Sequence, residues 1–133
     1  GIHTAPETIA VAYAAVGPDR FVPVTDAVAA LGMPAGTHVL GANQVITDGS
    51  KVTLTDGTLA GSALSMPESV ANLMSFAGVG LSASLRSHST VPSSVVGTDD
   101  RGLLEAGRRA DLVVLDDTTV VRTVVAGRTV YER

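Results

Sequence analysis

Phe21-Val-Pro-Val-Thr-Asp-Ala-Val28 is the stretch on which the fold turns. A Val-rich apolar run stops at Thr25 and Asp26 and gives way to a segment punctuated by Gly32, Pro34 and Gly36. Asp is depleted from strands, yet a carboxylate at the C-terminal tip of a buried parallel strand is where barrel enzymes place their chemistry. Asp26 is therefore either the cap of the following turn or a candidate metal ligand and general acid/base. Pro23, inside the run, has no N–H to give to a ladder and weakens the strand reading of Phe21 to Thr25.

Upstream, Thr4-Ala-Pro-Glu7 fits a capping box, with Thr4 as N-cap. Ile9, Tyr13 and Val16 then recur on one helical face until Gly17-Pro18 stops the helix. Downstream, Val45 and Thr47 face Val52 and Leu54 across Asp48-Gly49, which predicts a hairpin. Asp56 to Ser62 reads as a loop of small residues. Val70, Leu73 and Met74 predict a helix over Met66 to Phe76, capped by Ser65 and ended by Gly78. Leu81 to Val96 reads as one or two short helices interrupted at Pro92. Ala110 to Leu115 predicts a strand, and Val120 to Tyr131 two more, joined at Ala126-Gly127.

The order is helix, strand, hairpin, helices and a terminal β segment. It predicts an α/β fold: the C-terminal portion of a TIM-like (β/α)8 barrel followed by part of a small β-sandwich domain. Residues 1–97 are expected to end the barrel, with its last helix/strand unit, a hairpin insertion and the following helices. Residues 98–133 are expected to supply strands of the small domain. A barrel of this kind needs about 250 residues. A chain of 133 residues that starts at Gly1 and runs straight into a helix signal is expected to be the last third of a larger enzyme.

Bulk properties narrow the function classes. Hydrophobic residues make up 45% and aromatic residues 3%, so the core must be built from Val, Ala and Leu. The net charge of −4, without a basic cluster, argues against nucleic acid. No apolar run approaches the ~18 residues of a membrane span. With no cysteine there are neither disulfides nor thiolate metal sites, which allows a reducing cytoplasm, the expected location.

Among the histidines, His3 precedes a helix N-terminus, where an imidazole can donate to an anion, although it also fits a merely exposed residue. His38 and His88 have no partner at metal-binding spacing and read as structural. The loop from Thr58 to Ser62 either lets backbone N–H groups approach a ligand or is a plain turn. Ser62 and Ser65 do not fit a nucleophile elbow.

Taken together, the segments resemble the N-acetylglucosamine-6-phosphate deacetylases of the amidohydrolase superfamily. The resemblance rests on Gly1-Ile2-His3 with Pro6, on Val24-Thr25-Asp26-Ala27, and on Asp56-Gly-Thr-Leu-Ala-Gly-Ser62. Ser65-Met66 opening a helix and Gly107-Arg-Arg-Ala-Asp-Leu-Val-Val-Leu115 complete it. The last motif is shared by many amidohydrolases; the two around Asp26 and Gly61 are more specific.

The resemblance implies that Asp26 ends the eighth barrel strand, borders the metal and moves the catalytic proton. It implies that His3 binds the sugar phosphate, and that Leu59, Ala60 and Gly61 contact the substrate through backbone. It further implies a divalent metal in the full-length enzyme, zinc before iron, and a homodimer. The substrate would be N-acetylglucosamine 6-phosphate, hydrolysed to glucosamine 6-phosphate and acetate. The family's glutamate and two histidine ligands, and the arginine given by a partner subunit, match nothing in this chain. The chain alone is thus expected to be inactive, to hold no metal, and to self-associate or remain largely disordered. The competing readings are another metal-dependent amidohydrolase, which would share Asp26 and the Ala110 to Leu115 strand without requiring His3 or the loop from Thr58 to Ser62, and a non-catalytic fragment acting through association.

Overall fold

The computed structural model describes residues 1–133. The architecture is α/β, with four helices and two antiparallel sheets. The first helix, α1, spans Pro6–Val16. It starts one residue later than a cap at Thr4 would require. The ring of Pro6 disfavours helical geometry at Ala5, which is extended (φ −63°, ψ 143°) and becomes the N-cap without a side-chain bond. Pro6 then takes the first helical position, where its missing N–H costs nothing. Gly17 ends the helix at φ 80°.

Phe21 to Thr25 does not form a strand, because no neighbouring segment offers it a ladder. Val24, 78% exposed, marks the open flank. Pairing begins only past Asp26, in a single parallel bridge between Ala27 and Ser62.

Four strands follow: β1 (Gly36–Leu40), β2 (Asn43–Thr47), β3 (Lys51–Leu54) and β4 (Leu59–Ser62), in the order β1-β2-β3-β4. The hairpin expected between β2 and β3 is present with its register: Val45 opposes Leu54 and Thr47 opposes Val52. Asp48 organises the turn by accepting from the backbone N–H groups of Ser50 (2.9 Å) and Lys51 (3.0 Å). Together with a bond from the Ser50 hydroxyl (2.7 Å), and that of Lys51 first, they lower its pKa to about 2.

The supposed loop from Asp56 to Ser62 is half strand. Asp56 accepts from Thr58 N–H in the turn (2.9 Å), and Leu59 to Ser62 then pair with β3 across a bulge. Gly61, at φ 107°, gave the segment its loop-like sequence.

Helix α2 (Met66–Ala77) carries the full capping box at Ser65 and Glu68 and ends at Gly78 in left-handed geometry. Helices α3 (Leu81–His88) and α4 (Thr90–Val95) are separated at Ser89 rather than at Pro92. Ser89 (φ −133°, ψ −70°) breaks the helix, and Pro92 falls in the first turn of α4, where proline is tolerated. Strands β5 (Leu112–Asp116), β6 (Thr119–Val125) and β7 (Arg128–Glu132) form the second sheet. Ala126 (φ 49°) and Gly127 (φ 77°) make its closing turn, both left-handed as a two-residue hairpin requires.

The core is small and built from small side chains. Ala30, Val45, Val52 and Ala63 are buried together, with Val28, Leu40, Leu54 and Ala60 against them. Only 12 of 133 residues are buried, and the chain exposes 8196 Å². A compact monomer of 13.4 kDa exposes about 6,500 Å². The excess is apolar in part: Val11, Val24, Val39, Val95, Val96 and Leu104 are all more than two-thirds exposed. No helix is long and apolar enough to cross a membrane.

Candidate active site

Local packing brings the segments that precede and follow α1 to one place. The helix lies against α2. Beyond Gly17, the chain returns along α1, pinned where the Tyr13 and Phe21 rings meet edge to face at 5.3 Å. The N-terminal Gly1 to Thr4 and the segment Phe21 to Asp26 thereby line the same cavity of about 680 Å³. Its other walls come from the β2–β3 turn (Gly49, Ser50), the stretch from Ser62 to Leu64, and α2.

At the mouth stand His3 and Asp26. His3 Nδ1 lies 4.0 Å from Asp26 Oδ2, with the carboxylate side chain 68% exposed and the imidazole 33%. The other ring nitrogen, Nε2, is 3.0 Å from the Gly61 carbonyl oxygen. A carbonyl can only accept, so Nε2 carries a proton and Nδ1 is the edge turned to Asp26. A second proton on the ring would make the pair ionic.

Asp26 is one of three non-glycine residues with positive φ, at 53°. Such geometry persists only where neighbours over-determine it, and it clusters at functional sites. Here Ser62 N–H donates to the Asp26 carbonyl (2.9 Å) and Val28 N–H to the Ser62 carbonyl (3.0 Å). Ala27 N–H donates to Thr25 Oγ1 (3.3 Å), and the Ser62 hydroxyl donates to the Thr25 carbonyl.

The residues singled out from sequence divide accordingly. Asp26, His3 and Gly61 converge. Leu59, 45% exposed, and Ala60 stand on β4 outside the cavity wall. His38 donates through Nε2 to the Pro34 carbonyl (2.8 Å), within its own turn and strand. His88 is held between α2 and α3: Nδ1 meets the Ser84 carbonyl at 2.8 Å, leaving Nε2 to accept from Ser69 Oγ at 2.9 Å. Burial lowers the His88 pKa against the smaller opposing effect of the Ser84 bond. Glu68, also on the cavity wall, is kept ionised by bonds from the Ser65 side chain and backbone, which lower its pKa.

Two features escaped the sequence reading. Ser62 was weighed only as the end of a loop motif and as a nucleophile it does not fit, and its partners Thr25, Asp26 and Val28 lie 34 to 37 residues away along the chain. The Ser69–His88 pair spans two helices at a separation that follows no motif. For metal chemistry, Asp26 offers a carboxylate and His3 one imidazole already bonded to Gly61. No group of three His, Cys, Asp or Glu comes together anywhere in the chain. A tetrahedral zinc site takes three or four protein ligands, so these residues do not by themselves fit a metal.

Residues 1–130 match the profile of the amidohydrolase family, whose members are generally metal-dependent. The chain is similar to the N-acetylglucosamine-6-phosphate deacetylase of Caenorhabditis elegans, with 38% identity over 98% of the chain and 32% of that protein. The Danio rerio deacetylase is also 38% identical, over 100% of this chain and 33% of its own length. The crystal structure of the Thermotoga maritima deacetylase superposes with a TM-score of 0.91 at 36% identity, covering 100% of this chain and 37% of that one. The chain thus spans about a third of the length of the curated relatives it matches.

Proposed function

Since the chain belongs to the amidohydrolase family, we propose that the protein carrying it hydrolyses N-acetylglucosamine 6-phosphate to glucosamine 6-phosphate and acetate in the cytoplasm. The observation that carries this reading is the meeting of Asp26, His3 and the Gly61 carbonyl at one cavity mouth. It is supported by the end-to-end likeness to deacetylases of that substrate.

In this reading residues 1–97 close a (β/α)8 barrel and residues 98–133 belong to a small β-sandwich domain. Asp26 is the proton carrier. It accepts a proton from the attacking water and gives it to the departing amine, which cannot leave as an anion. Its left-handed backbone fixes where the carboxylate stands, and its exposure to the cavity gives the water access. His3 holds the phosphorylated sugar, so that binding energy remote from the amide places the acetamide against Asp26. Leu59, Ala60 and Gly61 contact the substrate through backbone, and the carbonyl of Gly61 orients the His3 ring. The divalent metal implied by the family, zinc before iron, would border Asp26, draw the rest of its ligand set from outside these residues, and polarise the amide carbonyl and the attacking water. A homodimer completes the proposed assembly.

The test is acetate release by the full-length gene product, with N-acetylglucosamine 6-phosphate assayed beside cyclic amides. Turnover of the sugar phosphate supports the reading. Turnover of cyclic amides alone would move the protein to another branch of the family.

A further inference from the structure

Ser62 makes more directed contacts to the Asp26 segment than any role in β4 requires. Its N–H donates to the Asp26 carbonyl (2.9 Å) and its carbonyl accepts from Val28 N–H (3.0 Å). Its hydroxyl donates to the Thr25 carbonyl and accepts from Leu64 N–H (3.1 Å). The residue is 6% exposed, and the hydroxyl has both a donor and an acceptor partner. The two carbonyls on either side of the Asp26 Cα are thus both tied to one residue. Fixing the peptide units before and after that Cα determines how the chain turns at Asp26, where φ is 53°.

The neighbouring glycine serves the same arrangement. A Cβ on Gly61 would come within 2.4 Å of Val28 Cγ1 and 3.3 Å of the Asp26 carbonyl. Without it, β4 approaches the segment closely enough for Ser62 to reach Thr25.

We propose that Ser62 is a positioning residue: its hydroxyl, acting with its main chain, locks Asp26 in the left-handed conformation that presents the carboxylate at the cavity mouth. The proposal rests on the deacetylase reading for its catalytic consequence, but not for its structural one. A backbone pairing alone would survive loss of the hydroxyl. A lock that needs the hydroxyl would not, and the carboxylate would drift from the place the reacting water needs.

The experiment compares Ser62→Ala and Ser62→Thr in the full-length gene product, by steady-state kinetics on N-acetylglucosamine 6-phosphate, thermal melting and crystal structures. Ser62→Ala is expected to lower kcat on the order of 10²-fold, the scale of a misplaced catalytic group. KM should stay within about threefold, since substrate contacts are untouched. Ser62→Thr, which keeps the hydroxyl, should restore most of kcat, and in Ser62→Ala the Asp26 φ should leave the left-handed region. The proposal is overturned if Asp26 keeps its φ in Ser62→Ala, or if kcat falls no more than twofold. A loss that Ser62→Thr fails to rescue despite a wild-type melting temperature overturns it too. If the wild-type protein does not turn over the sugar phosphate, the deacetylase reading falls, while the Asp26 φ in the two variants still decides the role of Ser62.

Discussion

His3 Nδ1 faces Asp26 Oδ2 at 4.0 Å, while the same ring's Nε2 is bonded to Gly61 O at 3.0 Å. One imidazole therefore joins the start of the chain, the proposed proton carrier and the proposed substrate-contacting strand.

If Asp26 moves the proton, Asp26→Asn removes the acid/base while keeping the shape of the side chain. We expect kcat to fall by roughly 10²- to 10⁴-fold with KM little changed. Acetate release by the full-length gene product measures it; wild-type kcat in the variant would remove Asp26 from the chemistry.

His3 is expected to act mainly on binding. His3→Ala should raise KM for the sugar phosphate by roughly 10- to 100-fold, the worth of one charge-assisted hydrogen bond of about 1.5–3 kcal/mol. Unphosphorylated N-acetylglucosamine should be affected far less. Equal losses on both substrates would show that His3 does not read the phosphate.

Gly61→Ala should be costly for two separate reasons, the φ of 107° and the 2.4 Å approach to Val28 Cγ1. We expect a loss of about 1–3 kcal/mol, read as a lower urea midpoint at unchanged slope. Gly57→Ala, with an open surrounding at φ 87°, should suffer from the backbone alone and lose less.

His88 gives the fold a pH dependence. Burial lowers its folded-state pKa below the ordinary 6.5, so the unfolded chain binds the proton more readily. Its contribution is fully present above pH 6.5 and declines as the pH falls through the lower folded-state value. Denaturation curves from pH 7.5 to 5.5 should show this decline in wild type and a smaller one in His88→Gln. Ser69→Ala, which leaves Nε2 without its donor, should cost about 1 kcal/mol at pH 7.5.

Residues 1–133 expressed by themselves should self-associate, because Val24, Val96 and Leu104 stand 72–81% exposed and Phe21 to Thr25 offers unpaired backbone. They should also release no acetate and bind no stoichiometric zinc. Light scattering showing a compact monomer, or tight metal binding, would count against this.

Much of the fold was legible because it is written in local terms. The cap at Ser65, the turn at Asp48-Gly49 and the pairing of Val45 with Leu54 each follow from residues a few places apart. The errors arose where a second element decides the outcome. Phe21 to Thr25 has strand composition, but a strand exists only through its partner. Leu59 to Ser62 has loop composition, yet β3 recruits it and the bulge absorbs Gly61. At the site, Asp26 and His3 stood out by residue type and motif, whereas Ser62 is a small polar residue whose role depends on a distant carbonyl.

That distance has a consequence for the order of events in folding. Ser62 and Thr25 are 37 residues apart, and the hairpins between them close over loops of only a few residues. Short closures form first and the long one last, since its entropy must be met before its bonds exist. The sheet β1 to β4 can therefore assemble while Asp26 still samples ordinary backbone angles, and the site comes into being only when Ser62 captures the Thr25 carbonyl. On refolding, the full-length gene product should regain its β signal before it regains turnover.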